Sequence, residues 1–164
     1  MTEWLTTEQQ QTWRAYLAAT TLLAEKLSRE LQAAHGLTMA DYEILVRLSE
    51  APDRRLRMSQ LASHTLSSRS RLSHQVDRLE KAGLVERQAC EDDRRGANAV
   101  LTEQGWTLLV AAAPDHVEGV RRHFVDLLTD EQFAQVGAAL GIVAGHLQGM
   151  EPDCEQTPAV ALTR

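Results

Sequence analysis

A chain of 164 residues with 43% hydrophobic and 24% charged residues can bury one core, is too short for a multidomain enzyme, and lies far from the composition of disordered chains. The formal net charge of −6 argues against a polyanionic partner only if it is spread evenly, and it is not. Residues 54–95 carry ten Lys/Arg against six Asp/Glu, a net of +4 that leaves −10 for the rest, so an acidic body bears one basic segment able to attract phosphates.

The opening run Met1-Thr-Glu-Trp-Leu-Thr-Thr-Glu has neither the basic start nor the apolar core of a signal peptide. No later stretch reaches the length of a membrane span, and the expected location is cytoplasmic, with no membrane partner. Between residues 8 and 34, Trp13, Leu17, Thr20, Ala24, Leu27, Leu31 and Ala34 recur three or four apart, which predicts one face of a long helix. Thr6 or Thr7 can cap its start, and Gly36 suits its end. A second helix is predicted from Thr38, whose hydroxyl can cap the amide of Asp41, to a stop before Pro52, burying Tyr42, Leu45 and Leu48.

A short element from Met58 to His64, the turn-like Thr65-Leu-Ser-Ser and a helix closed by Gly83 spell helix, tight turn, helix. In the second of these helices Leu72, Val76 and Leu79 make the packing face, which turns Arg69, Ser70, Arg71, Ser73, His74, Asp77 and Arg78 elsewhere. The runs 84–88 and 98–102 alternate apolar with other residues around a charged, turn-rich centre, and predict a two-stranded hairpin. Helix-turn-helix followed by hairpin is the winged-helix order, in which the second helix enters the major groove. Thr102 can cap a further helix to about Asp126, with a kink expected at Pro114. Thr129 with Gln132 makes a capping box for the last helix, with Phe133, Val136, Leu140, Val143 and Leu147 on one stripe.

The expected fold is mainly α with a small β wing (α+β). Within one domain, segments 8–34 and 103–148 supply dimerisation helices, 38–102 the winged helix-turn-helix, and 151–164 a disordered tail. Long amphipathic helices on both sides of so small a domain need a surface to bury, and a bundle shared by two copies supplies one. Two-fold symmetry then predicts half-sites about one helical turn, ~10 bp, apart in a double-stranded DNA operator.

At the expected reading helix, Ser67 or Ser68 can cap while the free amides and the helix dipole favour phosphate. Arg69 and Arg71 lie in the first turn, where a guanidinium can bind guanine O6 and N7 together. Ser70, Ser73 and His74 offer shorter contacts, and Arg78 is suited to phosphate. At the hairpin tip Gly96 permits a turn, Asp93 can orient a neighbour, and Arg94 or Arg95 can enter a narrow minor groove.

Enzyme chemistry finds no support: there is no Gly-rich phosphate loop, nucleophile elbow or HExxH pattern, and no cofactor is expected. Cys90 and Cys154 lie far apart without metal-ligand neighbours and read as spectator thiols, and His116 and His123, two turns apart, are too distant to share one ion unaided. The alternative function is a winged-helix module for protein contact without DNA affinity, against which the basic segment argues.

The run Ser68-Arg-Ser-Arg-Leu-Ser-His-Gln-Val-Asp-Arg-Leu-Glu-Lys-Ala-Gly-Leu-Val-Glu-Arg, then Asp93-Arg-Arg-Gly and Val100-Leu-Thr-Glu-Gln-Gly, closely resembles the multiple antibiotic resistance regulator (MarR) family over roughly residues 8–148. The resemblance implies a homodimeric regulator, usually a repressor, on a pseudo-palindromic operator, released by a small phenolic ligand or by thiol oxidation. It also implies an effector pocket between dimerisation helices and reading head, where Trp13, Arg14 and Tyr16 offer an aromatic wall and a cation for an aromatic acid, although core packing accounts equally well for Trp13 and Tyr16. The peroxide-sensing branch carries a cysteine near the first helix that is missing here, which argues against thiol switching and leaves Cys90, with Arg87, Arg94 and Arg95 near it in sequence, as the only residual candidate.

Overall fold

The computed structural model describes residues 2–65, 68–89 and 96–149. It divides into a unit ending at His123 and a second beginning at Phe124.

In the first unit, α1 spans Thr7–His35 and begins at a capping box in which the Thr6 hydroxyl accepts from the Gln9 amide while the Gln9 side chain accepts from the Thr6 amide. It ends at Gly36, whose φ of +70° is a left-handed cap that a β-carbon would strain. A second box, Thr38 with Asp41, starts α2 (Met39–Glu50). This helix is the centre of the fold: Ile44, Leu45 and Leu48 are fully buried and meet Leu61, Leu72, Val76, Val85 and Leu109 in one core. The short α3 (Met58–His64) and α4 (Arg69–Lys81) follow, and α4 buries the expected Leu72, Val76 and Leu79.

The hairpin is present as β2 (Val85–Ala89) and β3 (Ala97–Leu101), antiparallel with Arg87 opposite Ala99. The structure adds a third strand, β1 (Arg55–Arg57), on the other side of β3, giving the order β1-β3-β2. Three residues with a single apolar member are too few to show an alternation, which is why the pattern predicts only two strands. Before β1 the chain makes two successive left-handed residues, Asp53 and Arg54, both at φ +53°. Arg54 is held over the Trp106 ring at 4.3 Å and bonded to Glu103 at 2.9 Å.

The helix α5 (Glu103–His123) is capped by Thr102, whose hydroxyl accepts from the Gly105 amide at 3.0 Å and donates to the Gly83 carbonyl. It runs on through Pro114 without a break in helical assignment and packs on α1 through Leu27 and Leu31. Gly105 is required by proximity: a β-carbon there would overlap the Leu84 carbonyl oxygen and come within 2.7 Å of Leu101 Cδ1. The Leu-Thr-x-x-Gly junction therefore seats α5 directly on the backbone that follows α4.

In the second unit a 3₁₀ turn (Val125–Leu127) leads to α6 (Asp130–Leu147), which starts at the expected Thr129–Gln132 capping box. Phe133 tilts against Phe124, while Leu140, Ile142, Val143 and Leu147 are exposed. Among the described residues no helix is long and apolar enough to cross a membrane.

Candidate nucleic-acid interface

The candidate surface is built from the end of α3 and the start of α4. Thr65 closes α3 by donating its hydroxyl to the Leu61 carbonyl, and Ser68, extended at ψ 149°, caps α4 by accepting from the Arg71 amide at 3.3 Å. With Leu72, Val76 and Leu79 facing the core, Ser68, Arg69, Ser70, Arg71 and His74 are left exposed. The first turn of α4 holds no acid, so its positive dipole end and two guanidinium groups share one corner of the molecule. Among the described residues neither Arg69 nor Arg71 has an ion-pair partner.

Two expected contact residues have commitments of their own. The guanidinium of Arg78 pairs with the buried carboxylate of Asp41 and donates to the Thr38 hydroxyl at 3.3 Å, tying the third turn of α4 to the start of α2. Ser73 is half-buried, and both its carbonyl (3.1 Å) and its hydroxyl (3.3 Å) accept from Arg87 on β2. Arg87 also pairs with Asp77 and with Glu80 at 2.9 Å. The composition signals these arginines only as positive charge; their acid partners at positions 41, 77 and 80 become visible once helices and strands are placed side by side.

Two further exposed cations, Arg55 and Arg57, flank Leu56 on β1. In the sequence they stand out only as part of the basic segment, because Arg-Leu-Arg is too short for its alternation to mark a strand. Gly96 stands half-buried immediately before β3. Asp93, Arg94 and Arg95, with Ser67, Cys90, Cys154 and the tail 151–164, lie outside the described residues.

A groove of about 640 Å³ runs between α1, the start of α2 and α4, lined by Ser28, Met39, Arg71, His74 and Arg78 among others. A second, of about 420 Å³, lies between α1 and α5 against Glu30, Leu31, Asp115, His116 and Arg122. Neither includes Trp13, Arg14 or Tyr16. Those three sit nearer the start of α1, where Trp13 and Tyr16 stack at 5.7 Å with both rings about half exposed.

Across the α1–α5 packing, His35 meets Asp115 at 2.7 Å and His123 meets Glu30 at 2.9 Å. The hydrogen bond from His123 holds the Glu30 carboxyl below its usual range. Between them His116 packs its ring 4.5 Å from that of Tyr42, and burial pushes its imidazole down toward the neutral form. Among the described residues no group of three His, Cys, Asp or Glu side chains is arranged to hold a metal ion.

A MarR family model matches residues 35–96, from the end of α1 to the residue before β3. The transcriptional regulator PecS of Dickeya dadantii is 30% identical over 133 residues, covering 80% of this chain and 79% of its own length. The crystal structure of AbsC, a MarR family transcriptional regulator from Streptomyces coelicolor, is 52% identical with a TM-score of 0.86, covering 91% of this chain and 100% of that one. A second MarR family regulator from the same organism, crystallised in complex with DNA, is 47% identical with a TM-score of 0.88 over 90% of this chain and 92% of its own.

Proposed function

The chain belongs to the MarR family of transcriptional regulators, and on that premise we propose that it is a sequence-specific repressor that binds a pseudo-palindromic operator as a homodimer and is released by a small aromatic acid. The observation that carries the reading is the first turn of α4: a capped helix end without acids, presenting Arg69 and Arg71 with no ion-pair partner among the described residues. Unpaired guanidinium groups on a rigid helix are pre-organised for base edges or phosphate, because no intramolecular bond has to break on binding. Ser70 and His74 extend the same face. Arg94 and Arg95 are assigned to the minor groove on sequence grounds, with Asp93 and Gly96 shaping the turn.

Dimerisation rests on the apolar side chains that each unit leaves bare. Trp13, Tyr16, Leu17 and Leu22 on α1 are between 42% and 62% exposed, and Leu140, Ile142, Val143 and Leu147 on α6 between 41% and 78%. So many large apolar residues in solvent are uncommon for a monomer and suit burial against a second copy. The effector assignment to Trp13, Arg14 and Tyr16 gains from the Trp13–Tyr16 ring stack at 5.7 Å, which makes an aromatic wall.

The test is an anisotropy titration of the purified protein against its own upstream region and a nonspecific duplex at two salt concentrations. Selective, salt-sensitive binding supports the reading, and Arg71→Ala is then expected to lower specific affinity by about 1–3 kcal/mol without dissociating the dimer. Equal weak binding to both duplexes, repeated with DNA selected from random sequence, would overturn it.

A further inference from the structure

We propose that Arg87 is a positioning residue that locks the wing to the reading helix, so that major-groove and flanking contacts are set as one rigid unit; this rests on the DNA-binding reading above. Arg87 stands on β2, opposite Ala99 of β3, and its side chain crosses to α4. There it meets Ser73, Asp77 and Glu80, which at i, i+4 and i+7 form one face over two turns. The guanidinium donates to the Ser73 carbonyl and hydroxyl through one nitrogen and to the Asp77 and Glu80 carboxylates through the other. The backbone amide of Arg87 adds a bond to the second Glu80 oxygen at 3.2 Å.

Several features make this a positioning device and not a DNA contact. One cation faces two carboxylates, so the cluster has no net positive charge to offer a phosphate. The side chain is about a quarter exposed, and both of its terminal nitrogens donate inside the protein. A bond to a main-chain carbonyl fixes the rotation of α4 about its axis, which a side chain–side chain pair would leave loose. The planar fork serves acceptors on both sides at once, and an ammonium group of equal charge cannot reproduce that geometry.

The deciding variant is Arg87→Lys, which keeps the charge and removes the fork. Specific operator affinity is expected to fall at least tenfold, while nonspecific affinity and the salt slope stay within twofold of the parent. Amides of β2 should exchange with deuterium about tenfold faster in the free variant, with α4 unchanged. Parent-like operator binding by the variant would overturn the proposal, as would a joint fall in specific and nonspecific affinity with a shallower salt slope, the mark of a lost phosphate contact. A lower melting temperature with operator affinity of the folded protein intact would also overturn it, by reducing Arg87 to a stabilising role. If the parent itself shows no selective binding, the DNA-binding reading fails, and the exchange experiment still decides whether Arg87 holds the wing.

Discussion

Removing the side-chain charge of Arg78 separates a structural role from a DNA-contacting one. Asp41 is almost fully buried, with a side chain 5% exposed, and its two oxygens divide their donors: Arg78 serves Oδ1, while the Thr38 amide (3.0 Å) and hydroxyl (2.7 Å) serve Oδ2. In Arg78→Met the stem remains and Oδ1 loses its charged donor. Breaking a buried ion pair from one side costs about 3–5 kcal/mol, but two circumstances reduce that here. Arg78 itself is 56% exposed, so water can reach the vacated side, and Thr38 goes on stabilising the carboxylate. A loss of about 2 kcal/mol follows, close to the cost of one hydrogen bond to a charged group. For a chain of this length that lowers the melting temperature by about 4–8 °C. The assay is thermal unfolding of the parent, R78M, D41N and the double variant at one protein concentration, because a dimer melts higher when more concentrated. The double variant should recover about 1–2 kcal/mol relative to additivity. Nonspecific DNA affinity of R78M should keep the parent's salt slope. A melting temperature within a degree of the parent, with a salt slope shallower by about one unit, would refute the reasoning and make Arg78 a phosphate contact.

Further outcomes follow from other parts of the chain. Gly105→Ala should destabilise by about 2–4 kcal/mol, because its β-carbon meets a carbonyl oxygen and not a yielding side chain, and denaturant unfolding reads this directly; parent-like stability would mean that α5 does not sit on Leu84. His116 is favoured neutral by burial, so the unfolded chain takes up its proton first and stability falls as pH drops from about 6.5 through the lower folded value. The melting-temperature difference between the parent and His116→Gln should therefore shift against the parent from pH 7.5 to 5.5, and a pH-independent difference would remove His116 as the cause. Ile142→Glu, on a residue 69% exposed within the chain, should leave the helical signal intact and shift sedimentation toward monomer if α6 buries that face in a dimer; an unchanged dimer would free this residue from the interface.

The sequence makes legible those parts of the fold that local rules determine. Thr6, Thr38, Ser68 and Thr129 cap where their hydroxyls and the following helix pattern place them, and Leu72, Val76 and Leu79 bury as their spacing requires. The expected hairpin forms between 85 and 101. What local rules miss is set by tertiary neighbours. β1 exists because β3 offers an edge, not because three residues prefer extension, and the left-handed turn before it is held in place by Trp106 and Glu103, some fifty residues later. The apolar periodicity of α1 marks a face from Trp13 to Ala34 without telling which part packs within the chain: Leu27 and Leu31 are buried, whereas Trp13 and Leu17 remain half exposed. In the interface, Arg69, Arg71 and His74 stand exposed as their helix positions require, while the bonds of Ser73 and Arg78 to partners 14 and 37 residues away lie beyond periodicity.

Those bonds also decide where on α4 unpaired positive charge concentrates. The basic excess of residues 54–95 is a property of composition, and the ion pairs redistribute it. Arg54 is taken up by Glu103, Arg78 by Asp41, and Arg87 by Asp77 and Glu80. The acids within α4, Asp77 and Glu80, lie in its last two turns, where Arg87 offsets one of their two charges. They stand eight to eleven residues from Arg69, about 12–16 Å along the helix axis, which exceeds the screening length of about 8 Å at physiological salt. Repulsion from them is weak at the first turn, where Arg69 and Arg71 add their charge to the helix dipole. A polyanion approaching this face is drawn to the N-terminal end of α4, the orientation in which a recognition helix brings its first turn to base edges. Net acidity is therefore compatible with a local cationic site, because Arg54, Arg78 and Arg87 are bound to the chain's own acids away from the first turn of α4, where Arg69 and Arg71 are left for a partner.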